Sequence, residues 1–522
     1  MNCFLKLIIG SMIYTSIILS IDQTTKDKNS LKMKLSKDPH NQLYAFDLAQ
    51  TYQELKKYNK AIKLYTKSHS IEGEKGWYSE YMIGKCYEAK GDWDNALAYY
   101  QSAFKRRPSR AEPLYDIAQH YHLENNHSKV CFFANLGRKI PYPKNDNLFI
   151  DKDIYRYKLS EMLSISAYYD ENYRQQGKEY IDDLLFDPKV PEQVKKNSMN
   201  NILFYVENIK NVHYLSMHVK TPFLSDWSIK RYLPLNPSII KTDKGYTVNC
   251  RSINCVQWYP DYLVLDGSKK TKTKNMFIEY DKNLNKYFES EVIENESIMY
   301  YQTPNQGLED LRMVEFNNET YFSATSCQLT NLGIPKMCLG KFNSDHKKEV
   351  GNVMVDKVTL LQGPNENRAE KNWLPFVVDG ELLLIYSFAP FIIYKPDLTT
   401  GKCTEFINKD PGFDFSRFAG SAPPIAFADG YLLMIHEGIW RDRKYYVHRF
   451  VYLDKNFEIT KVSEPFTFKH QGVEMCCGMV INHTEDQLIM TIALEDREAY
   501  FALIDLPTVC SLLKPLPKAY EA

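Results

Sequence analysis

The stretch GLEDLRMVEF (Gly307–Phe316) is followed by NNETYFSATS (Asn317–Ser326), and together they predict a strand, a tight polar turn and a second strand. Two acids and an arginine open the first strand, and apolar residues follow them. Because side chains alternate along a strand, Asp310 and Arg312 are expected on the same side. An arginine beside an aspartate can hold that carboxylate and tune its pKa. The alternative is an ordinary surface ion pair at a strand end.

The same kind of unit recurs along the second half of the chain. Each copy pairs two period-2 runs across a polar turn and places polar residues at the start of its first run. The further copies begin near Leu235, Glu370, Gly420 and Val473. Four-stranded blades around an axis give such a recurrence, whereas a β-sandwich does not need it. We favour a five-bladed β-propeller over residues 220–512, whose inner strands bring polar residues into one channel.

A different, helical period fills residues 35–212. Six positions recur about one repeat later, with small residues where paired helices would touch and aromatic residues between them. These are Leu48, Ala49, Tyr52, Tyr58, Ala61 and Tyr65, followed by Ile83, Gly84, Tyr87, Trp93, Ala96 and Tyr100. The pattern resembles tetratricopeptide repeats, which form helical solenoids with a concave binding face. The fold class is therefore an α + β multidomain chain, whose solenoid is expected to bind a protein partner.

The N-terminus predicts entry into the secretory pathway. Phe4–Ile21 is apolar except for Lys6, and charged residues follow. Residues 1–25 fit a signal peptide or a signal anchor. The expected location is the secretory lumen or outside the cell, with a membrane anchor at the N-terminus as an alternative to cleavage. The 11 cysteines are expected to be small buried residues, with one or two disulfides if the chain is exported.

Composition narrows the partners further. The chain has 65 Lys and Arg and 65 Asp and Glu residues, so its formal net charge is zero and nucleic acid is not an expected partner. The cysteines do not form metal-type CxxC pairs, and we expect no metal and no organic cofactor.

Five motifs in the second half resemble those of the β-mannoside phosphorylases and the related β-mannosyltransferases, a family of five-bladed propellers. They are Asn-Pro-Ser (Asn236–Ser238) with Arg251, Gly-Leu-Glu-Asp-Leu-Arg (Gly307–Arg312), Glu-Lys-Asn-Trp-Leu-Pro-Phe (Glu370–Phe376), Gly-Ser-Ala-Pro-Pro (Gly420–Pro424) with His436, and Asp496. The resemblance implies inverting transfer on β-linked mannosides, with a glycan substrate. Inorganic phosphate, a sugar phosphate or a nucleotide sugar would be the co-substrate.

The resemblance also implies roles for single residues. Asp310 matches the catalytic acid, which in this family acts through a sugar hydroxyl. Residues that would bind phosphate or substrate are Arg251, Arg312, Lys371, Asn372, His436 and Asp496. Leu311 stands where the family usually has proline, and Lys371 lies in a variant motif. These departures leave open whether the chain is a phosphorylase or a transferase.

The chemistry of these residue types agrees with the resemblance. If phosphate or the acceptor is the nucleophile, one carboxylic acid suffices, and a cationic pocket takes the place of the second carboxylate. Glu309 and Glu474 could activate water, so hydrolysis also stays open. The alternative from another class is a non-catalytic carbohydrate- or protein-binding scaffold, because solenoids and propellers both serve as binding platforms. Convergence of the acid and the cations in one pocket would favour the enzyme.

Overall fold

Helices make up the first part of the chain. The computed structural model describes residues 27–224, 230–258, 261–343 and 351–516, so the signal segment predicted for residues 1–25 lies outside the described residues. The helices are α1 (27–37), α2 (Gln42–Glu54), α3 (Tyr58–Ser68), α4 (Glu74–Ala89), α5 (Trp93–Arg106), α6 (Glu112–Leu123), α7 (His127–Arg138), α8 (Leu159–Ser166), α9 (Gly177–Phe186) and α10 (Glu192–Ile202). Within the described ranges, no helix is long and apolar enough to cross a membrane.

Successive helices pack against one another through the residues that the repeat pattern singles out. Ala49, Ala61 and Ala96 are fully buried where helices meet. A Cβ atom on Gly84 of α4 would lie 2.8 Å from the ring of Tyr100 on α5, so glycine allows the close approach. The predicted pairing of α2 with α3 and of α4 with α5 is present. The closing helix predicted for Pro191–Ile209 is shorter than expected and ends at Ile202.

Beyond α10 the described residues form β-strands and one short helix, α11 (Leu506–Leu512). The strands are β1 (Glu207–Asn208), β2 (His213–Ser216), β3 (Leu233–Thr242), β4 (Gly245–Ile253), β5 (Cys255–Trp258), β6 (Asp261–Val264), β7 (Thr271–Asp281), β8 (Lys286–Glu294), β9 (Asn305–Gln306), β10 (Glu309–Phe316), β11 (Glu319–Ser326), β12 (Lys336–Asn343), β13 (Val353–Leu360), β14 (Leu374–Val378), β15 (Glu381–Phe388), β16 (Phe391–Pro396), β17 (Cys403–Lys409), β18 (Ala419–Gly420), β19 (Ile425–Phe427), β20 (Gly430–Trp440), β21 (Lys444–Leu453), β22 (Ile459–Ser463), β23 (Phe466–Thr467), β24 (Glu474–Ile481), β25 (Gln487–Leu494), β26 (Glu498–Asp505) and β27 (Leu513–Pro515).

Neighbouring strands pair in antiparallel runs. The order is β3-β4-β7-β8 in the first run, β10-β11-β12-β13 in the second and β14-β15-β16-β17 in the third. In the next run β20 pairs with β21, β18 and β19, and in the last the order is β24-β25-β26-β2. Strand β13 also pairs with β8 in parallel, which joins the first two runs into one sheet. Each hairpin predicted from the sequence is present.

The change from helix to strand comes earlier than the predicted change of texture at Val219. The chain divides into two compact units between Leu184 and Lys195, and β1 and β2 already belong to the second unit. Strand β2 pairs antiparallel with β26, with His213 opposite Leu503. A strand of four residues carries too little periodicity to be recognised, and its partner lies almost at the other end of the chain.

The cysteines behave as small apolar residues. In the part of the chain that the structure describes, all ten cysteines are free thiols, and most are buried. The disulfides considered for an exported chain are therefore absent from these residues.

Candidate active site

Asp310 stands at an irregularity at the start of β10. Its φ is +52°, and the pairing of β10 with β11 shifts register between Glu309 and Arg312. Such a bulge re-aims a side chain that a regular strand would point elsewhere. The expectation that Asp310 and Arg312 share one side was drawn for a regular strand, and the strand is irregular at this point. The guanidinium of Arg312 donates to the main-chain oxygen of Asp310 at 3.1 Å instead of to its carboxylate.

The partners of the Asp310 carboxylate come from the first antiparallel run. Arg251 on β4 donates from Nη1 to Oδ1 at 2.7 Å, and Asn236 on β3 donates from Nδ2 to the same oxygen at 2.8 Å. The Asp310 side chain is 15% exposed and that of Arg251 is 9% exposed. The carboxylate is thus fixed in place and still reaches the solvent.

These partners decide the charge of Asp310. Burial raises the pKa of the carboxyl. The charges of Arg251 and Arg312, the hydrogen bond from Asn236 and the charge of Lys371 lower the pKa by more than burial raises it. The net pKa lies well below the ordinary value, so Asp310 is ionised at neutral pH. Burial lowers the pKa of Arg251, but Glu309 and Asp310 raise it above its ordinary value.

A second carboxylate, Glu309, lies between two cations. Its Oε2 is 3.5 Å from Arg251 Nη2 and 3.6 Å from Lys371 Nζ. Lys371 is half exposed, with 47% of its side chain accessible. The ammonium group of Lys371 is therefore within reach of a solute, while Arg251 forms the floor of the site. The other predicted hydrolytic carboxylate, Glu474, is fully buried and accepts main-chain hydrogen bonds from Lys469 and His470.

Arg312 and Asn372 form a buried brace beside the carboxylate. The Arg312 side chain is fully buried, and its Nη2 donates to Asn372 Oδ1 at 2.9 Å. Its Nε donates to the main-chain oxygen of Ser421 at 2.8 Å, and Nη2 also donates to that of Gly420 at 3.3 Å. Asn372 has a φ of +65°, so its main chain is left-handed, as that of Asp310 is. In this geometry Arg312 fixes the starts of neighbouring strands.

His436 lies on β20 and is buried. Its Nδ1 and the Ser421 hydroxyl are 2.9 Å apart and share a hydrogen bond, and the Tyr446 ring meets the imidazole edge-on at 5.1 Å. Burial lowers the pKa of His436 well below its ordinary value, and the charges of His448, Arg312 and Lys444 lower it further. His436 is therefore neutral at physiological pH.

Asp496 occupies the turn between β25 and β26, with a φ of +51°. Burial raises the pKa of its carboxyl to about 6, since the lowering effects of Arg251 and Lys444 are opposed by Asp310 and do not offset it. Burial lowers the pKa of Lys444, and Asp496 opposes this shift. Asp496 is therefore near enough to Asp310 and Arg251 for their charges to affect its pKa.

Two residues of the site were not chosen from the sequence. Asn236 was noted only as part of its Asn-Pro-Ser motif. It has a φ of +44°, is 6% exposed, and its Oδ1 has no hydrogen-bond partner among the described residues. This oxygen can accept a hydrogen bond from a hydroxyl group. Lys444 carried no signal, because it follows a charged turn and looks like a surface residue.

The comparisons with known proteins concern both halves of the chain. The family model for the tetratricopeptide repeat matches residues 78–109. No curated protein matches the chain. Among solved structures, the chain is similar to the β-1,2-mannobiose phosphorylase from Listeria innocua, with 14% identity, a TM-score of 0.39, and coverage of 58% of this chain and 99% of that one.

Two structures from Leishmania mexicana are also similar. A mannose phosphorylase has 9% identity, a TM-score of 0.35, and coverage of 59% of this chain and 94% of that one. A GDP-Man-dependent mannosyltransferase has 11% identity, a TM-score of 0.35, and coverage of 56% and 89%. The chain thus carries a tetratricopeptide repeat in its helical part. The solved structures to which it is similar include mannoside phosphorylases and a mannosyltransferase, the kinds of protein that the sequence motifs resemble.

Proposed function

We propose that the chain catalyses inverting glycosyl transfer, with mannose as the transferred sugar, on β-linked mannosides. It would act as a phosphorylase or as a transferase. The observation that carries this proposal is the partly exposed Asp310 carboxylate, held by Arg251 in a site that also contains Lys371, Asp496 and Lys444. An acid that converges with cations is what transfer to or from phosphate requires.

The proposal includes a domain assignment. Residues 1–25 would direct export, residues 35–212 would recruit a protein partner or the acceptor, and residues 220–512 would form a five-bladed propeller that carries the site. A cavity of about 180 Å³ supports the propeller, because the first strand of every antiparallel run contributes to its lining. The lining includes Ile239 of β3, Met313 of β10, Pro375 of β14, Ile425 of β19 and Met479 of β24. Inner strands around one axis would share a cavity in this way.

The proposed reaction needs one proton and one nucleophile. In phosphorolysis, a phosphate oxygen forms a bond to the anomeric carbon while the bond from that carbon to the acceptor oxygen breaks. The Asp310 carboxyl supplies the proton, through a sugar hydroxyl, to the leaving oxygen. In the opposite direction the acceptor oxygen attacks, phosphate leaves, and the Asp310 carboxylate takes the proton back. Either direction inverts the anomeric centre.

The charge of the free site favours the direction in which the acceptor oxygen attacks and a glycosidic bond is formed. Asp310 is ionised before substrate binds, so it can accept a proton but has none to give. To act as an acid it must be neutralised. A phosphate anion bound to Lys371 and Arg251 would offset the cations that lower the pKa of Asp310. In the direction of phosphorolysis, the proposal therefore requires that the anionic co-substrate is bound before Asp310 can act as an acid.

The tetratricopeptide match favours a second candidate, a non-catalytic carbohydrate- or protein-binding scaffold, because such repeats serve as interaction platforms. In that case the buried Arg312 and His436 would be structural, and Asp310 would only bind a hydroxyl group.

The deciding experiment compares Asp310→Asn with Asp379→Asn. Both aspartates have positive φ values, but Asp379 lies in the exposed turn between β14 and β15. Phosphate release from mannose 1-phosphate, and nucleotide release from GDP-mannose, are measured with a panel of mannoside acceptors. Loss of general acid–base catalysis should lower the rate of Asp310→Asn about a hundred- to ten-thousand-fold, with Asp379→Asn unchanged.

Two results would count against the enzyme. Turnover by Asp310→Asn close to that of the wild type would remove Asp310 from the mechanism. A folded wild-type chain that binds mannosides by calorimetry but turns over none of the donors would favour the scaffold.

A further inference from the structure

The connection between α7 and α8 lies against the helical repeats. Its residues Asp146–Phe149 have no regular secondary structure and contact α2, α4 and the connection between α5 and α6. Phe149 stacks on Tyr78 of α4 at 3.7 Å between ring centroids and lies 6.5 Å from Phe46 of α2. The first helices of neighbouring repeats therefore form an aromatic pocket for this side chain.

The main chain of the segment is recognised as well. Glu74, in the first turn of α4, accepts hydrogen bonds from the amides of Asn147 and Leu148, the latter at 2.8 Å. Arg110, just before α6, donates to the carbonyl oxygens of Leu148 at 3.2 Å and Phe149 at 3.0 Å. Contacts to main-chain groups do not depend on sequence, so these two side chains can hold other peptide segments.

An acidic residue completes the pattern. The Asp146 carboxylate accepts hydrogen bonds from Arg107 at 3.0 Å and from Arg110 at 3.2 Å. Glu112 binds Arg110 at 2.8 Å from the other side, and the guanidinium lies 4.1 Å from the Trp77 ring centroid. Arg110 is thus held in place by the helices and does not depend on the segment for its position.

The segment itself is not an ideal occupant. Phe149 has a φ of +56°, an uncommon value for a bulky side chain, and 43% of the residue stays exposed. The connection that carries it runs from Lys139 to Asp153, where a π-helical turn (Ile154–Lys158) leads into α8, and this is long for a link between neighbouring helices. A site that recognises a strained segment of its own chain can accept a better-fitting peptide.

We propose that this surface, formed by Phe46, Glu74, Tyr78, Arg107 and Arg110, is a peptide-binding groove. Its partner is a segment of another protein with an acidic residue three positions before an aromatic residue. Asp146–Phe149 is an internal mimic of that segment and leaves the groove when the partner binds. The groove would bring the partner to the chain whatever reaction the β-rich unit catalyses.

The test uses the chain's own segment as the probe. A fluorescein-labelled peptide of residues 143–151 is titrated into three forms of the full chain: the wild type, the double variant Asp146→Ala/Phe149→Ala, and the double variant with Tyr78→Ala added. A tethered segment competes at an effective concentration on the order of millimolar. The double variant should therefore bind the peptide at least about tenfold more tightly than the wild type does.

Adding Tyr78→Ala should remove this gain, and a peptide with alanine at both the acidic and the aromatic position should not bind. A folded double variant that binds no better than the wild type would overturn the proposal, as would binding that Tyr78→Ala leaves unchanged.

If the double variant does not fold, the wild type decides the question. Saturating peptide should speed hydrogen exchange at the amides of Asn147 and Leu148, because Glu74 would then accept from the peptide instead. Unchanged exchange at both amides would identify the segment as a permanent part of the solenoid.

Discussion

Replacing Arg251 with methionine would remove the charge at the floor of the site and keep most of the side-chain volume. Its guanidinium donates to Asp310 at 2.7 Å and lies 3.5 Å from Glu309, and all three side chains are largely buried. A hydrogen bond to a charged group contributes about 1.5–3 kcal/mol, and breaking a buried ion pair costs about 3–5 kcal/mol. Because Asp310 keeps its bond from Asn236 and reaches solvent, we expect a loss of about 2–3 kcal/mol at pH 7.

The loss should depend on pH with a defined sign. The folded-state pKa of Asp310 lies below its value in the unfolded chain, which is about 3.9. The stability that the ionised carboxylate contributes is therefore complete above about pH 4 and is lost as the pH falls towards the folded-state pKa. Arg251→Met should be much less stable than the wild type at pH 7, and this difference should shrink at pH 3.

Hydrogen exchange of β4 and β10 during urea titration, at pH 3 and at pH 7, measures this difference for the β-rich unit alone. Lys371→Met is the matched control, because Lys371 is half exposed and should change stability by less than about 0.5 kcal/mol. A difference between Arg251→Met and wild type of equal size at both pH values would refute the argument, since the stabilisation would then not come from the charge on Asp310.

Three other substitutions test neighbouring features. Asp496→Asn removes a carboxyl whose pKa is raised to about 6, and ionising this carboxyl destabilises the wild type as the pH rises from about 4 to 6. Urea unfolding should therefore show that the variant is about 1–3 kcal/mol more stable than the wild type above pH 6 and lacks this pH-dependent loss. Asn236→Asp places a second carboxylate against Asp310 and should lower the melting temperature at pH 7 far more than at pH 4. Gly84→Ala forces a Cβ to 2.8 Å from the Tyr100 ring and should destabilise the helical unit by about 1–3 kcal/mol, despite the better helix propensity of alanine, as circular dichroism at 222 nm would report.

Much of the fold could be predicted because its signals are local. The helix pairs follow from small residues such as Ala49 and Gly84 at fixed spacing, and the hairpins follow from period-2 runs that flank turns such as Asp379-Gly380. Strand β2 could not be predicted in this way. Its pairing with β26 is a contact between distant parts of the chain, and four residues of ordinary composition do not indicate it.

The site was harder to predict than the fold, because it depends on departures from regular geometry. Alternation along a strand put Asp310 and Arg312 on one side, but it could not give the left-handed φ of Asp310 or the register shift between Glu309 and Arg312. Asn236 and Asn372 also adopt positive φ at the starts of their strands, where asparagine tolerates the left-handed region better than most residues do. The sequence therefore showed a polar residue near a strand start, but it could not predict the left-handed backbone at that residue.

The two aspartates near Arg251 show how neighbouring carboxyls beside one guanidinium can have pKa values shifted in opposite directions. Arg251 lowers the pKa of both, but only Asp310 accepts its hydrogen bond, and the ionised Asp310 in turn raises the pKa of Asp496. Protons bound by such a pair belong to the pair and not to either residue alone. An anion that draws Arg251 and Lys371 away from Asp310 would raise the pKa of Asp310, and a protonated Asp310 would no longer raise that of Asp496. Binding of a phosphate group would thus favour protonation of Asp310, the carboxyl that the proposed transfer uses.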